Sequence, residues 1–153
     1  MRLSVLDLVP VRSDQSTSDA LSATTRLAQT ADRLGYTEGY CGEHLTDAAA
    51  NIPNSLMFIA TLLGVTSQMK VGTAVVNLPH SHPVVVATNV AMLDNLFEGR
   101  FILGIGAGGV GVAQRREVEP VRRRDVFQHL FAHQLGAAID ADGVRRIVFG
   151  IGR

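Results

Sequence analysis

The chain has 153 residues, with 14 Lys+Arg against 14 Asp+Glu, 46% hydrophobic side chains and a single cysteine, Cys41. That length and apolar content suit one globular domain and exclude a disordered chain, which needs low hydropathy and a large net charge. Zero net charge gives no global pull toward nucleic acid or an anionic membrane, a lone cysteine excludes an internal disulfide, and no stretch reaches the roughly 18 apolar residues of a spanning helix.

Leu3 to Val9 is rich in β-formers and stops at Pro10, so it reads as a buried strand. The short apolar run is interrupted by Asp7 and does not form a secretory signal, which sets the expectation of a cytoplasmic protein. Ser16, Thr17 and Ser18 offer N-caps to a helix carrying Leu21, Leu27, Ala28, Ala31 and Leu34, with Gly35 placed to end it. Tyr36 to Gly42 is a second strand running into polar Glu43 and His44. Pro53 then opens a helix through Leu56, Ile59, Ala60 and Leu63. Lys70 to Leu78 is a third strand ended by Pro79. Pro83 starts a helix through Val86, Val90, Leu93 and Leu96 that stops at Gly99, and Phe101 to Gly106 is a fourth strand.

Beyond Gly111 the texture changes. Residues 111–153 hold eight Arg against five acids, whereas residues 1–110 hold six basic residues against nine acidic ones. Pro120 is placed to open a helix striped by Val126, Phe127, Leu130, Phe131, Leu135 and Ile139, and Arg146 to Ile151 reads as a fifth strand. The expected division is therefore 1–110, the regular part, and 111–153, a divergent tail.

Strands and helices alternating every 30 residues or so give an α/β protein with a parallel sheet, whose ligand sits outside the carboxyl ends of the strands. Candidate chemistry is sought there. Gly104 to Gly109 follows a strand and matches G-x-G-x-x-G, either a pyrophosphate loop or a glycine loop admitting another flat ligand or a neighbouring strand. The acid nearest the expected spacing, Asp125, falls on a predicted helix, which weakens the dinucleotide reading. Glu43 and His44 place a carboxylate and an imidazole at the rim of strand two, as a general base with its neighbour or as a loop cap without chemistry. Neighbours on a strand point to opposite faces, so both reach one ligand only if the strand has ended before them.

His80 and His82 read as a turn before a helix rather than as metal ligands, because no third ligand accompanies them at a recognisable spacing. His129 and His133 lack the intervening Glu of H-E-x-x-H. The run Arg115, Arg116, Arg122, Arg123 and Arg124 is interleaved with Glu117, Glu119 and Asp125 and has no stacking aromatics. It reads as a solvated face, not a nucleic-acid site.

Taken together, Glu43-His44 after strand two, V-G-T-A-x-x-x-L-P from Val71 to Pro79, His82-Pro83, and L-D-x-x-x-x-G-R-F from Leu93 to Phe101 with the glycine-rich end at Gly109 resemble the bacterial luciferase-like family of flavin-dependent monooxygenases. The likeness is strongest to the alkanal, limonene and alkanesulfonate branch and runs from Met1 to about Gly109. The resemblance implies a (β/α)8 barrel of which 153 residues supply a truncated N-terminal half, four to five βα units of a fold that takes roughly 250 residues. It implies reduced FMN, supplied by a partner flavin reductase, or in one branch the deazaflavin F420. It also implies O2 as co-substrate and a small organic substrate. By the same resemblance His44 is the catalytic proton-transfer residue and Glu43 lines the flavin pocket. Ala74 and Val75 flank a non-proline cis peptide against the ring, and Gly106, Ala107 and Gly108 pass beside it. The alternative kept beside this enzyme is a non-catalytic flavin-binding or assembly module of the same fold. A half-barrel would expose edge strands and an apolar inner face, so a homodimer is expected.

Overall fold

The fold, a computed structural model, is described for residues 2–44, 52–106 and 147–150. All of its strand pairs are parallel. β1 (Ser4–Asp7) pairs with β2 (Glu38–Cys41), β2 with β3 (Lys70–Thr73), and β3 with β5 (Phe101–Gly106). β4 (Val76–Asn77) and β6 (Ile147–Gly150) flank β5 on its two sides, both meeting it at Ile105 and Gly106. The fifth strand expected at Arg146 to Ile151 thus forms over Ile147–Gly150 and joins the same sheet. The helix and the arginine run expected between Gly111 and Arg146 lie outside the described residues.

Each helix begins where a side chain can accept an orphan amide. At α1 (Thr17–Arg33) Ser16 and Asp19 form a reciprocal capping box, Asp19 N to Ser16 Oγ at 3.1 Å and Ser16 N to Asp19 Oδ2 at 3.3 Å. Gly35 follows that helix at φ +81°, the left-handed turn a glycine adopts without penalty. α2 (Ser55–Val65) is capped by Asn54, whose Oδ1 accepts from Met57 N at 3.0 Å, so Pro53 sits before the cap instead of opening the helix. α3 (Pro83–Leu96) has Pro83 in its first turn and His82 as N-cap, Nδ1 accepting from Val84 N at 3.3 Å, which is the turn role expected of that histidine.

The third strand departs from expectation. Instead of one run from Lys70 to Leu78, β3 ends at Thr73, β4 resumes at Val76, and Leu78–His80 is a 3-10 turn. The register against β5 slips by one residue between Gly72↔Ile102 and Val76↔Ile105, a bulge that aims the intervening residues out of the ladder. The cause is tertiary. Thr73 Oγ1 donates to Gly104 O at 2.7 Å and accepts from Gly104 N at 2.8 Å, so a side chain replaces the ladder there. A Cβ on Gly104 would collide with the carbonyl oxygen of Thr73, so only glycine allows this approach.

One face of the sheet packs on the helices, with Val5, Gly39, Cys41 and Val71 turned toward Ala28, Leu62 and Met69. The core continues through Ile59, Leu63, Val86, Val90 and Leu103, all nearly free of solvent. Two charged side chains hold the loop that leaves α2 for β3. Buried Asp32 accepts from Ser67 N, Gln68 N and Met69 N at 2.6–2.9 Å and from Ser67 Oγ at 3.0 Å. Arg100 donates to Leu63 O at 3.1 Å, to Thr66 O at 2.8 Å and to Thr66 Oγ1 at 2.8 Å, satisfying carbonyls left orphaned at the end of α2.

Candidate active site

The opposite face of the sheet carries small residues at its carboxyl rim. A Cβ on Gly72 would lie 2.8 Å from Ile102 Cβ and 3.0 Å from Tyr40, so those two side chains close over the glycine. Nearer the rim, a Cβ on Gly42 would meet His44 Nε2 at 3.1 Å, Leu8 Cδ2 at 3.2 Å and Ala74 O at 3.6 Å. The imidazole of His44 and the carbonyl of Ala74 therefore converge on the space above Gly42. β2 has ended at Cys41 by then, which meets the condition that Glu43 and His44 lie on loop and not on strand.

The rim is fixed by hydrogen bonds between chain segments that are distant in sequence. Ala74 N donates to Cys41 O at 2.8 Å, tying the end of β3 to the end of β2. The peptide between Ala74 and Val75 is cis, at the position the resemblance implied; Ala74 is exposed and Val75 half-buried. Gly106 is the buried last residue of β5, and Ala107 and Gly108 lie outside the described residues. His44 is half-buried and its backbone amide donates to Ile52 O at 2.9 Å. Glu43 accepts from Ser55 Oγ at 2.8 Å and Ser55 N at 3.2 Å on one oxygen and from Asn77 N at 2.9 Å on the other.

Ser55 and Asn77 carry no motif that marks them. They contact Glu43 across 12 and 34 residues of chain, a relation visible only once α2 and β4 are in place. At the end of β1, buried Val9 holds φ +50°, unusual for a β-branched residue; its amide donates to Asp7 Oδ1 at 2.8 Å and Asp7 Oδ2 accepts from Thr24 Oγ1 at 2.7 Å. The thiol of Cys41 is no candidate nucleophile. Burial, with the charge of Asp7 adding to it, pushes its pKa up to about 12. Among the described residues no group of three or more His, Cys, Asp or Glu is placed to hold a metal ion.

This arrangement suits a flat, largely uncharged ligand. The rim offers an accessible alanine, a glycine floor and one imidazole. The Glu43 carboxylate beside them already accepts three donors. A flavin ring fits that chemistry, since it needs a smooth wall and a few polar groups at its edge.

The family described as luciferase-like monooxygenase matches residues 1–130, most of the chain and beyond Gly109. The chain belongs to this family. Limonene 1,2-monooxygenase of Rhodococcus erythropolis is 32% identical over 121 residues, which are 78% of this chain and 31% of that protein. 4-Hydroxyprotoasukamycin monooxygenase of Streptomyces nodosus subsp. asukaensis is 43% identical over 84 residues, 55% of this chain and 23% of that protein. Among solved structures, the oxygenating constituent of 3,6-diketocamphane monooxygenase from Pseudomonas putida, in complex with FMN, superposes with a TM-score of 0.73 at 28% identity, covering 86% of this chain and 38% of that one. The luciferase-like chain described here thus spans a third or less of these curated relatives, and its fold is part of a (β/α)8 barrel. No helix of the described residues is long and apolar enough to cross a membrane.

Proposed function

We propose that this luciferase-like chain forms the ring-facing part of a flavin-dependent monooxygenase acting on a small organic substrate, with FMN delivered in reduced form by a separate reductase. The observation that supports the reading most is the convergence of His44 and Ala74 above Gly42, beside the cis peptide to Val75. Reduced flavin, when bound, supplies the electrons with which O2 is activated and the substrate oxidised. The protein's own part is to bind, orient and exclude water. Ala74, Val75 and Gly106, continued by Ala107 and Gly108, provide the wall for the ring, with Glu43 bordering it. His44 holds or moves a proton at its imidazole. F420 is a deazaflavin of similar flat shape, and competition between FMN and F420 for the purified chain decides between them.

The proposal extends to assembly and place. Leu6 of β1 and Leu8 just beyond it are 59% and 48% exposed, and among the described residues β1 pairs only with β2, so an uncovered apolar edge supports a homodimer. A cytoplasmic location is part of the same proposal. The second reading is a flavin-binding or assembly module of the same fold without turnover. NAD(P)H oxidation through an added flavin reductase, with the organic products analysed by mass spectrometry, separates the two. Incorporation of one oxygen atom from O2 into a product supports the enzyme. Flavin binding with reductant consumed only to peroxide supports the module.

A further inference from the structure

We propose that Glu43 is a positioning residue, whose carboxylate couples the His44 loop, the Ala74–Val75 segment and the Gly106 rim into one unit through Ser55 and Asn77. The inference rests on the flavin reading above and goes further by assigning roles to two residues that no motif marks.

Both carboxylate oxygens of Glu43 are committed to the protein. Oε1 accepts from Asn77 N at 2.9 Å, and Oε2 accepts from Ser55 N at 3.2 Å and Ser55 Oγ at 2.8 Å, while Asn77 Nδ2 donates back to the Glu43 carbonyl at 2.9 Å. Ser55 is fully buried and Asn77 nearly so, and charge-assisted bonds withdrawn from water are the strong ones. All three of these donors to the carboxylate come from the protein. What it does is mechanical. Asn77 follows Val75 by two residues and pairs with Gly106 of β5, so fixing Asn77 fixes both sides of the proposed ring wall. The strand ladder is interrupted between Thr73 and Val76, and the bond from Glu43 supplies the constraint that the missing ladder would have given. Glu43 also precedes His44, whose amide is held from the other side by Ile52. The imidazole and the ring wall are thereby set relative to each other by one side chain.

A carboxylate that served only the fold would leave the site unaffected in any variant that stays folded, and the test separates these roles. Glu43→Gln replaces an acceptor oxygen by an NH2 facing donors. Glu43→Asp keeps the charge on a shorter stem, and Asp32→Asn serves as a control that loosens a clamp outside the site. Affinity for FMN is read by flavin fluorescence at a temperature where all variants are folded, together with amide hydrogen exchange at Ser55 and Asn77.

The expected result is faster exchange at both amides and about tenfold weaker FMN binding in Glu43→Gln, partial recovery in Glu43→Asp, and unchanged FMN affinity in Asp32→Asn despite its lower melting temperature. Should Glu43→Gln not fold, Ser55→Ala and Asn77→Ala, each leaving the carboxylate in place, take over with the same expected direction. Wild-type binding of FMN with undiminished affinity in the folded variants, or a loss matched by Asp32→Asn, overturns the positioning role and leaves the flavin reading standing. Absence of FMN binding by the wild-type chain overturns both.

Discussion

The imidazole of His44 stands over a residue that has no side chain, and its place at the rim lets it serve as a proton donor or acceptor to a bound ligand. His44→Ala is expected to lower kcat by roughly 10²-fold or more while changing FMN affinity little; steady-state kinetics and FMN titration check both. Gly104 makes a different demand, because a methyl group there would meet the Thr73 carbonyl. Gly104→Ala should cost about 3 kcal/mol or abolish folding, as urea denaturation would show. The sequence put Glu43, His44 and the glycine loop forward as candidates at the carboxyl ends of the strands, but the orientation of Glu43 and His44 was not legible there. That both lie beyond the strand follows from β2 ending at Cys41, and that the carboxylate turns to Ser55 and Asn77 follows from contacts over 12 and 34 residues.

Helices were the most readable elements, since their ends are local: Ser16, Pro83 after His82, and Gly35 each act within one turn, although the start of α2 falls to Asn54 and not to Pro53. The split of the third strand was not readable, because V-G-T-A-V-V-N-L is nearly all β-branched or small and the break comes from Thr73 bonding across to Gly104. The loop from α2 to β3 carries a pH signature. Burial works against ionisation of Asp32, yet the amides of Ser67, Met69 and Gln68 and the Ser67 hydroxyl outweigh it and hold the pKa at about 2, below its ordinary 3.8. A carboxyl depressed on folding stabilises above its unfolded pKa and loses that contribution as pH falls, here between about 4 and about 2. Asp32→Asn should therefore lower stability near neutral pH by about 2 kcal/mol and flatten the acid limb, measured as denaturation midpoints from pH 6 to pH 2. Arg100→Met should cost a similar ~2–3 kcal/mol by freeing the carbonyls of Leu63 and Thr66, with amide exchange rising first at the end of α2.

For the whole molecule, the alternation of strand and helix sufficed to give a parallel α/β sheet, and the motifs from Glu43 to Phe101 gave the family that the match over residues 1–130 shows. Among the described residues β1 stands at one edge of the sheet, and Leu6 on it and Leu8 just beyond it are exposed. A second copy pairing along that edge predicts a dimer mass in light scattering, and Leu6→Lys with Leu8→Lys should shift it to monomer without unfolding. The central claim is that the small-residue rim around Gly42, Ala74 and Gly106 receives a flavin. Titration of the purified chain with FMN, followed by absorbance and fluorescence, tests it most directly. Saturable binding of one flavin per chain, with a perturbed flavin spectrum and with weakened affinity in Ala74→Trp, is the predicted result. A spectrum identical to free FMN, with no saturation at any protein concentration, would contradict the account.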